Sequence, residues 1–173
     1  MDNSNKLYFN NFGVCEIVEV EKIQENDTTK ESYLLKPLYG QAGTVKVFSD
    51  NPNIRPLLTK DEIVEMLNIF EAYNSPWENK YIYREMLYSK IKADPDPVKR
   101  MCMLKTIYNH YLEKKSTGQK GGLSYRDMEF YHKSLDLITW EIKEALGITL
   151  DDVADFIFSI TNDASIYEYY VIK

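Results

Sequence analysis

The sequence is poor in the residues that most often announce chemistry. Among 173 residues there are two histidines, His110 and His132, and two cysteines, Cys15 and Cys102. The cysteines lie far apart in apolar stretches. That excludes a CxxC redox or zinc motif and reads as free buried thiols in a reducing compartment. The histidines lack ligand spacing. Each sits beside tyrosines on a helical pattern and reads as a surface or satisfied imidazole. Seven glycines are too scattered for a phosphate loop, and "GQAG" (40–43) is a turn because no helix follows it. No run of about 18 apolar residues occurs, so no membrane span is expected. The opening "MDNSNKLYF" has no basic region followed by an apolar one, so no secretory signal is expected either. Glu16, Glu19 and Glu21 read as the wet face of a strand. The expectation is a binding protein with no enzymatic activity, cofactor or metal, monomeric and cytoplasmic.

What is present suffices for a packed core: 44% of the residues are hydrophobic and 28% charged. Fourteen tyrosines suit surfaces that are part apolar and part wet. The net charge of −6 is unevenly spread. Residues 78–133 carry 12 basic and 7 acidic groups, whereas residues 134–173 carry two basic and eight acidic ones. A basic middle between acidic flanks is compatible with a polyanion partner, and equally with solvated helix faces.

The pattern changes near Pro56. Before it, "GVCEIVEVEKI" (13–23), "SYLLKPL" (32–38) and "AGTVKVF" (42–48) are short β-rich runs separated by turn residues. They predict an SH3- or Tudor-like barrel over residues 1–57, since so small a sheet must curl to bury anything. After it the period is helical, and residues 58–173 predict an all-α domain of about five helices. Thr59 with Glu62 forms a capping box, and Ile63, Met66, Leu67 and Phe70 make the stripe of the first helix. A second helix is expected from about Glu78 to Ile91. Asp96-Pro97 reads as the cap and first position of a third. Ser124 with Asp127 opens a fourth that ends at Gly147, and Thr149 with Asp152 a short fifth. The class is therefore α+β with two domains.

One stretch resists this bookkeeping. "NSPWENKY" (74–81) places Trp77, one of two tryptophans, among turn and helix-start residues. A hydrophobic staple or inter-helix packing would account for it. Trp140, mid-helix beside Leu135, Ile138 and Ile142, needs only core or edge packing.

Several segments in order resemble the CarD/CdnL family of bacterial transcription regulators, whose N-terminal domain is shared with transcription-repair coupling factor. These are Phe12-Gly13-Val14, the run "YLLKPLYGQAGTVKVFSDNPNIRPLLTKDEI" (33–63), the Trp77/Tyr81 spacing and "WEIKEALGITLDDVADFI" (140–157). The resemblance covers nearly the whole chain. It implies a Tudor-like domain that docks on the RNA polymerase β subunit, with Lys46 as the basic residue and Thr44, Val45 and Val47 as its strand neighbours. Lys22 or Ile23 falls where relatives use a second arginine. It also implies a helical domain that meets promoter DNA without sequence specificity, at the upstream fork of the melted bubble. Trp77 would wedge into the minor groove there and stabilise the open complex, so the chain would be nucleoid-associated. Lys80 and Arg84 would serve phosphates beside it, joined by Lys90, Lys105, Lys114 and Lys115. Asn79 and Ile82 stand where the family has basic residues, which implies weaker DNA affinity. The alternative is a protein–protein adaptor that keeps the fold without engaging DNA.

Overall fold

The computed structural model describes residues 5–25, 28–40, 43–118 and 123–162. Five strands precede five helices: β1 (Lys6–Phe9), β2 (Gly13–Glu25), β3 (Thr28–Pro37), β4 (Val45–Phe48), β5 (Ile54–Arg55), α1 (Lys60–Ala72), α2 (Tyr81–Ala93), α3 (Pro97–Ser116), α4 (Tyr125–Leu146) and α5 (Leu150–Thr161). A single 3-10 turn, Asn10–Phe12, links β1 to β2.

The strands form one antiparallel sheet in the order β4-β3-β2-β1-β5. In keeping with the small β domain expected, the sheet curls into a half-barrel whose outer strands, β4 and β5, each pair on one side only among the described residues. Buried Cys15, Leu35 and Val47 form a thin core, and α4 packs against β2. Gly13 marks the closest approach. Its φ is +73°, which favours glycine, and a Cβ there would stand 2.7 Å from the tip of the Leu137 side chain, which would have to shift. A register shift between Ile17 and Glu19 places Val18 as the extra residue of a bulge.

The helical half is capped as its sequence predicts. Thr59/Glu62, Ser124/Asp127 and Thr149/Asp152 are reciprocal capping boxes. Asp96 caps α3 through Val98 N–H at 2.9 Å, with Pro97 in the first turn. Gly147 takes the left-handed conformation after α4. The core joins Ile63, Met66, Leu67 and Phe70 of α1 to Leu104, Ile107 and Tyr108 of α3, and to Phe130, Tyr131, Ile138 and Ile142 of α4.

One boundary differs from expectation. α2 begins at Tyr81, not near Glu78, and Lys80 caps it without a side-chain hydrogen bond. Residues 73–80 stay extended because their polar groups are claimed elsewhere. The Glu78 carboxylate accepts the Lys80 N–H at 2.8 Å. The Arg84 guanidinium donates to the carbonyls of Glu78 and Asn79 at 2.9 and 3.1 Å. Trp77 therefore lies in a segment crossing the helices rather than at a helix mouth.

The change of period near Pro56 is real, yet the two halves share one polar seam along α4. Arg55 grips the buried Glu141 carboxylate with both terminal nitrogens and donates from Nε to the Pro95 carbonyl at 3.0 Å. Its guanidinium lies 4.1 Å from the Tyr8 ring centre. Glu144 receives Lys6 at 2.6 Å, Lys143 at 2.6 Å and the Tyr39 hydroxyl. Trp140 stacks on Tyr39, ring centres 4.8 Å apart, so it seals the seam instead of entering the helical core.

Candidate functional site

Trp77 organises the most distinctive cluster. Its ring is half-buried and lies flat on His110 of α3, with centroids 4.1 Å apart and planes within 5°. The Arg84 guanidinium stands 4.6 Å from the same ring. Trp77 forms part of the wall of two clefts. One, of about 490 Å³, is apolar and runs between α1, α2 and α3. The other, of about 540 Å³, is polar and includes Asn79, His110, Glu113 and Lys114.

Arg84 is fixed by chemistry the sequence conceals. Its Nε and Nη2 donate to the two oxygens of Asp127 at 3.0 and 3.3 Å. Both residues are buried. Asp127 also accepts the Tyr88 hydroxyl at 2.7 Å and the Ser124 hydroxyl at 2.6 Å. Burial pushes the Asp127 carboxyl up, but the bonds from Arg84, Ser124 and Tyr88 outweigh it and hold the group below the usual carboxylate range. Tyr88 moves the other way, raised by burial and by the Asp127 carboxylate. A single acid thus caps α4, pairs Arg84 and, through Arg84, shapes the backbone beside Trp77.

His110 is held neutral. Burial, then the nearby Lys114 charge, draws its pKa below the ordinary 6.5. Its Nδ1 is buried without a hydrogen-bond partner, 3.7 Å from the Glu113 carboxylate.

The structure sorts the basic candidates. Lys80 is exposed beside Trp77, its ammonium 5.2 Å from the Tyr83 ring centre. Lys90 and Lys115 are exposed, and Lys114 is half-buried on the polar cleft. Arg84 is withdrawn from solvent by Asp127, which corrects its assignment as a phosphate contact. Lys105 is corrected likewise: its ammonium donates to the carbonyls of Phe70 and Glu71, closing the end of α1. Arg100 is buried, and Lys99 and Arg126 pair with Asp94 and Glu129. Arg84, Arg100 and Lys105 are therefore turned into the fold, while Lys99 and Arg126 are held in surface ion pairs.

The second candidate surface is β4. It is an edge strand, pairing only with β3 among the described residues. Val45 and Val47 face the sheet core, while Lys46 and Phe48 face out. Lys46 pairs with Glu21 at 2.5 Å, both partly solvated. Thr44 is exposed just before the strand. Lys22 does not join this group. It lies opposite Glu31, whereas Lys46 lies opposite Leu34; positions 31 and 34 point to opposite faces of the sheet.

His110, Asp127, Ser124 and Tyr88 are the functional neighbours that sequence reasoning missed. Ser124 and Asp127 were visible as a capping box. The long-range partner Arg84, 43 residues upstream of Asp127, left no local signal.

Among the described residues no cluster of three or more His, Cys, Asp or Glu is placed to hold a metal ion, and no helix is long and apolar enough to cross a membrane. No family model and no curated protein matches the chain.

Proposed function

We propose that the chain is a transcription regulator that binds the RNA polymerase β subunit through the free edge of β4. It would stabilise the open promoter complex by inserting Trp77 at the upstream fork. The reading includes no enzymatic step. The observation that carries it is the edge of β4, unpaired among the described residues, with Lys46 standing outward beside exposed Thr44. An unpaired strand edge is the natural acceptor for β-augmentation, and a flanking charge sets its partner. The Tudor-like docking role and the wedge role come from the resemblance to CarD/CdnL regulators. The open antiparallel half-barrel followed by five helices is compatible with it.

The energetics decide whether the wedge is affordable. Trp77 must leave His110 and Arg84 first. An aromatic pair contributes about 0.5–1.5 kcal/mol, and a cation–π contact about 0.5–2 kcal/mol. Releasing the ring therefore costs about 1–3.5 kcal/mol, a reduction of roughly 5–400-fold in the competent population. One base–aromatic stack returns about 1–3 kcal/mol. Wedging is thus close to balanced, and exposed Lys80, Lys90 and Lys115 would tip it by contacts to phosphates.

The same facts favour a second reading, an adaptor that docks by β4 and leaves DNA alone, because Arg84 and Lys105 are already consumed. Titration of forked promoter DNA at two salt concentrations separates the two. Salt-sensitive binding supports the regulator, and absent binding supports the adaptor. Lys46→Glu tests what they share: it should weaken binding to the isolated β-subunit lobe at least tenfold. Undiminished binding would move the docking face off β4.

A further inference from the structure

The cleft of about 490 Å³ on the apolar side of Trp77 has no role in the reading above. Protein interiors are close-packed and leave few voids larger than a water molecule. An opening of this size falls within the range of small-molecule sites. It exists because α2 stands off α3: Leu87 and Ile91 of α2 form one wall, Val98, Cys102 and Met103 of α3 the other, and Trp77 closes the end.

The chemistry of the walls specifies the occupant. Both cations on the rim are paired, Arg84 with Asp127 and Lys99 with Asp94. The carboxylates of Glu78 and Asp96 accept the Lys80 and Val98 N–H groups and stand at the solvated edge. Thr106 turns its hydroxyl to the Cys102 carbonyl at 3.1 Å. An anion would find no free counter-charge, and a cation would meet its counter-charge only at the solvated edge while losing hydration on entry. What remains is aromatic and sulfur-bearing surface from Trp77, Met103 and Cys102, which favours flat π systems. A partner helix does not fit, because a single turn, about 10–12 Å across with its side chains, would already fill the space.

We propose that this cleft is a binding site for an uncharged aromatic small molecule, with Trp77 as its end wall. The cleft shares Trp77 with the proposed wedge, so an occupant and a promoter fork would compete for the same ring.

The full-length chain is titrated with N-phenyl-1-naphthylamine, an uncharged aromatic probe whose emission rises in apolar surroundings. Saturable binding is expected, and in a Trp140→Phe chain the bound probe should quench Trp77 emission. Val98→Trp fills the cleft and should weaken binding at least tenfold. Leu87→Lys, a change at a rim position already 38% exposed, should weaken it severalfold without loss of helical circular dichroism. Phe48→Ser, on the outer face of the sheet, should leave it unchanged. Absence of saturable binding, or equal affinity in the Leu87→Lys chain, would overturn the assignment, as would loss of binding in Phe48→Ser. These outcomes are read without polymerase or promoter, so they stand or fall apart from the regulator reading.

Discussion

His110 lies flat on Trp77 at 4.1 Å, and this contact holds the ring that the proposed function needs free. Removing it should raise the competent population. His110→Ala is expected to lengthen open-complex lifetime severalfold, within the roughly 2–13-fold range set by the 0.5–1.5 kcal/mol of the stack alone. Promoter-complex decay with the variant checks this, and its Trp77 emission should shift toward that of a solvated indole.

The same imidazole makes the contact sensitive to acid. The folded pKa of His110 lies below the ordinary 6.5 because burial and Lys114 disfavour the cation. The unfolded chain therefore takes up its proton first as pH falls. The stability contribution is intact above about pH 6.5 and is lost as pH drops from there toward the folded pKa. Among the charged groups around the ring, Lys114 and Arg84 favour this shift, and Glu113 and Asp127 oppose it. His110→Phe keeps the stack and removes the proton. Its unfolding free energy should fall less than that of the parent chain between pH 7.5 and 5.5.

Arg84 and Asp127 form a buried pair, so breaking it leaves a stranded charge. Arg84→Met is expected to cost about 3–5 kcal/mol of stability, measured by urea unfolding. If Arg84 instead served phosphates from the surface, the substitution would leave stability nearly unchanged and lower only the salt dependence of DNA binding.

The seam between the sheet and α4 should be the acid-labile part of the fold. Burial pushes the Glu144 carboxyl up, but hydrogen bonds from Lys143, Lys6 and Tyr39 prevail and bring it from the ordinary 4.5 down to about 2. A depressed carboxylate stabilises above its unfolded value, so this contribution is complete above about pH 4.5 and is lost as pH falls through about 2. Glu144→Gln should flatten the acid limb of the stability profile over that window while lowering stability at neutral pH.

Helix-start chemistry made much of this fold legible in advance. Thr59, Ser124 and Thr149 each cap through a residue three positions on, and such local pairs can be read directly from spacing. Gly13 was visible as a turn glycine, but its crowding against Leu137 depends on where α4 packs. Trp77 shows the limit most clearly. Its neighbours Ser75 and Pro76 suggested a helix mouth, yet the helix waits until Tyr81 because Arg84 holds the preceding carbonyls. The charge count of residues 78–133 failed for a related reason: spacing cannot show that Arg84, Arg100 and Lys105 turn inward. The curled sheet expected from three β-rich runs is present as a half-barrel, but its packing against α4, far along the chain from β2, left no local signal.

The most direct test of the wedge is the decay of polymerase–promoter complexes challenged with competitor DNA, comparing the parent chain with Trp77→Ala at saturating concentrations. The account predicts that Trp77→Ala shortens the complex lifetime toward that of polymerase alone while its affinity for polymerase stays unchanged. An unaltered lifetime at equal occupancy would contradict it.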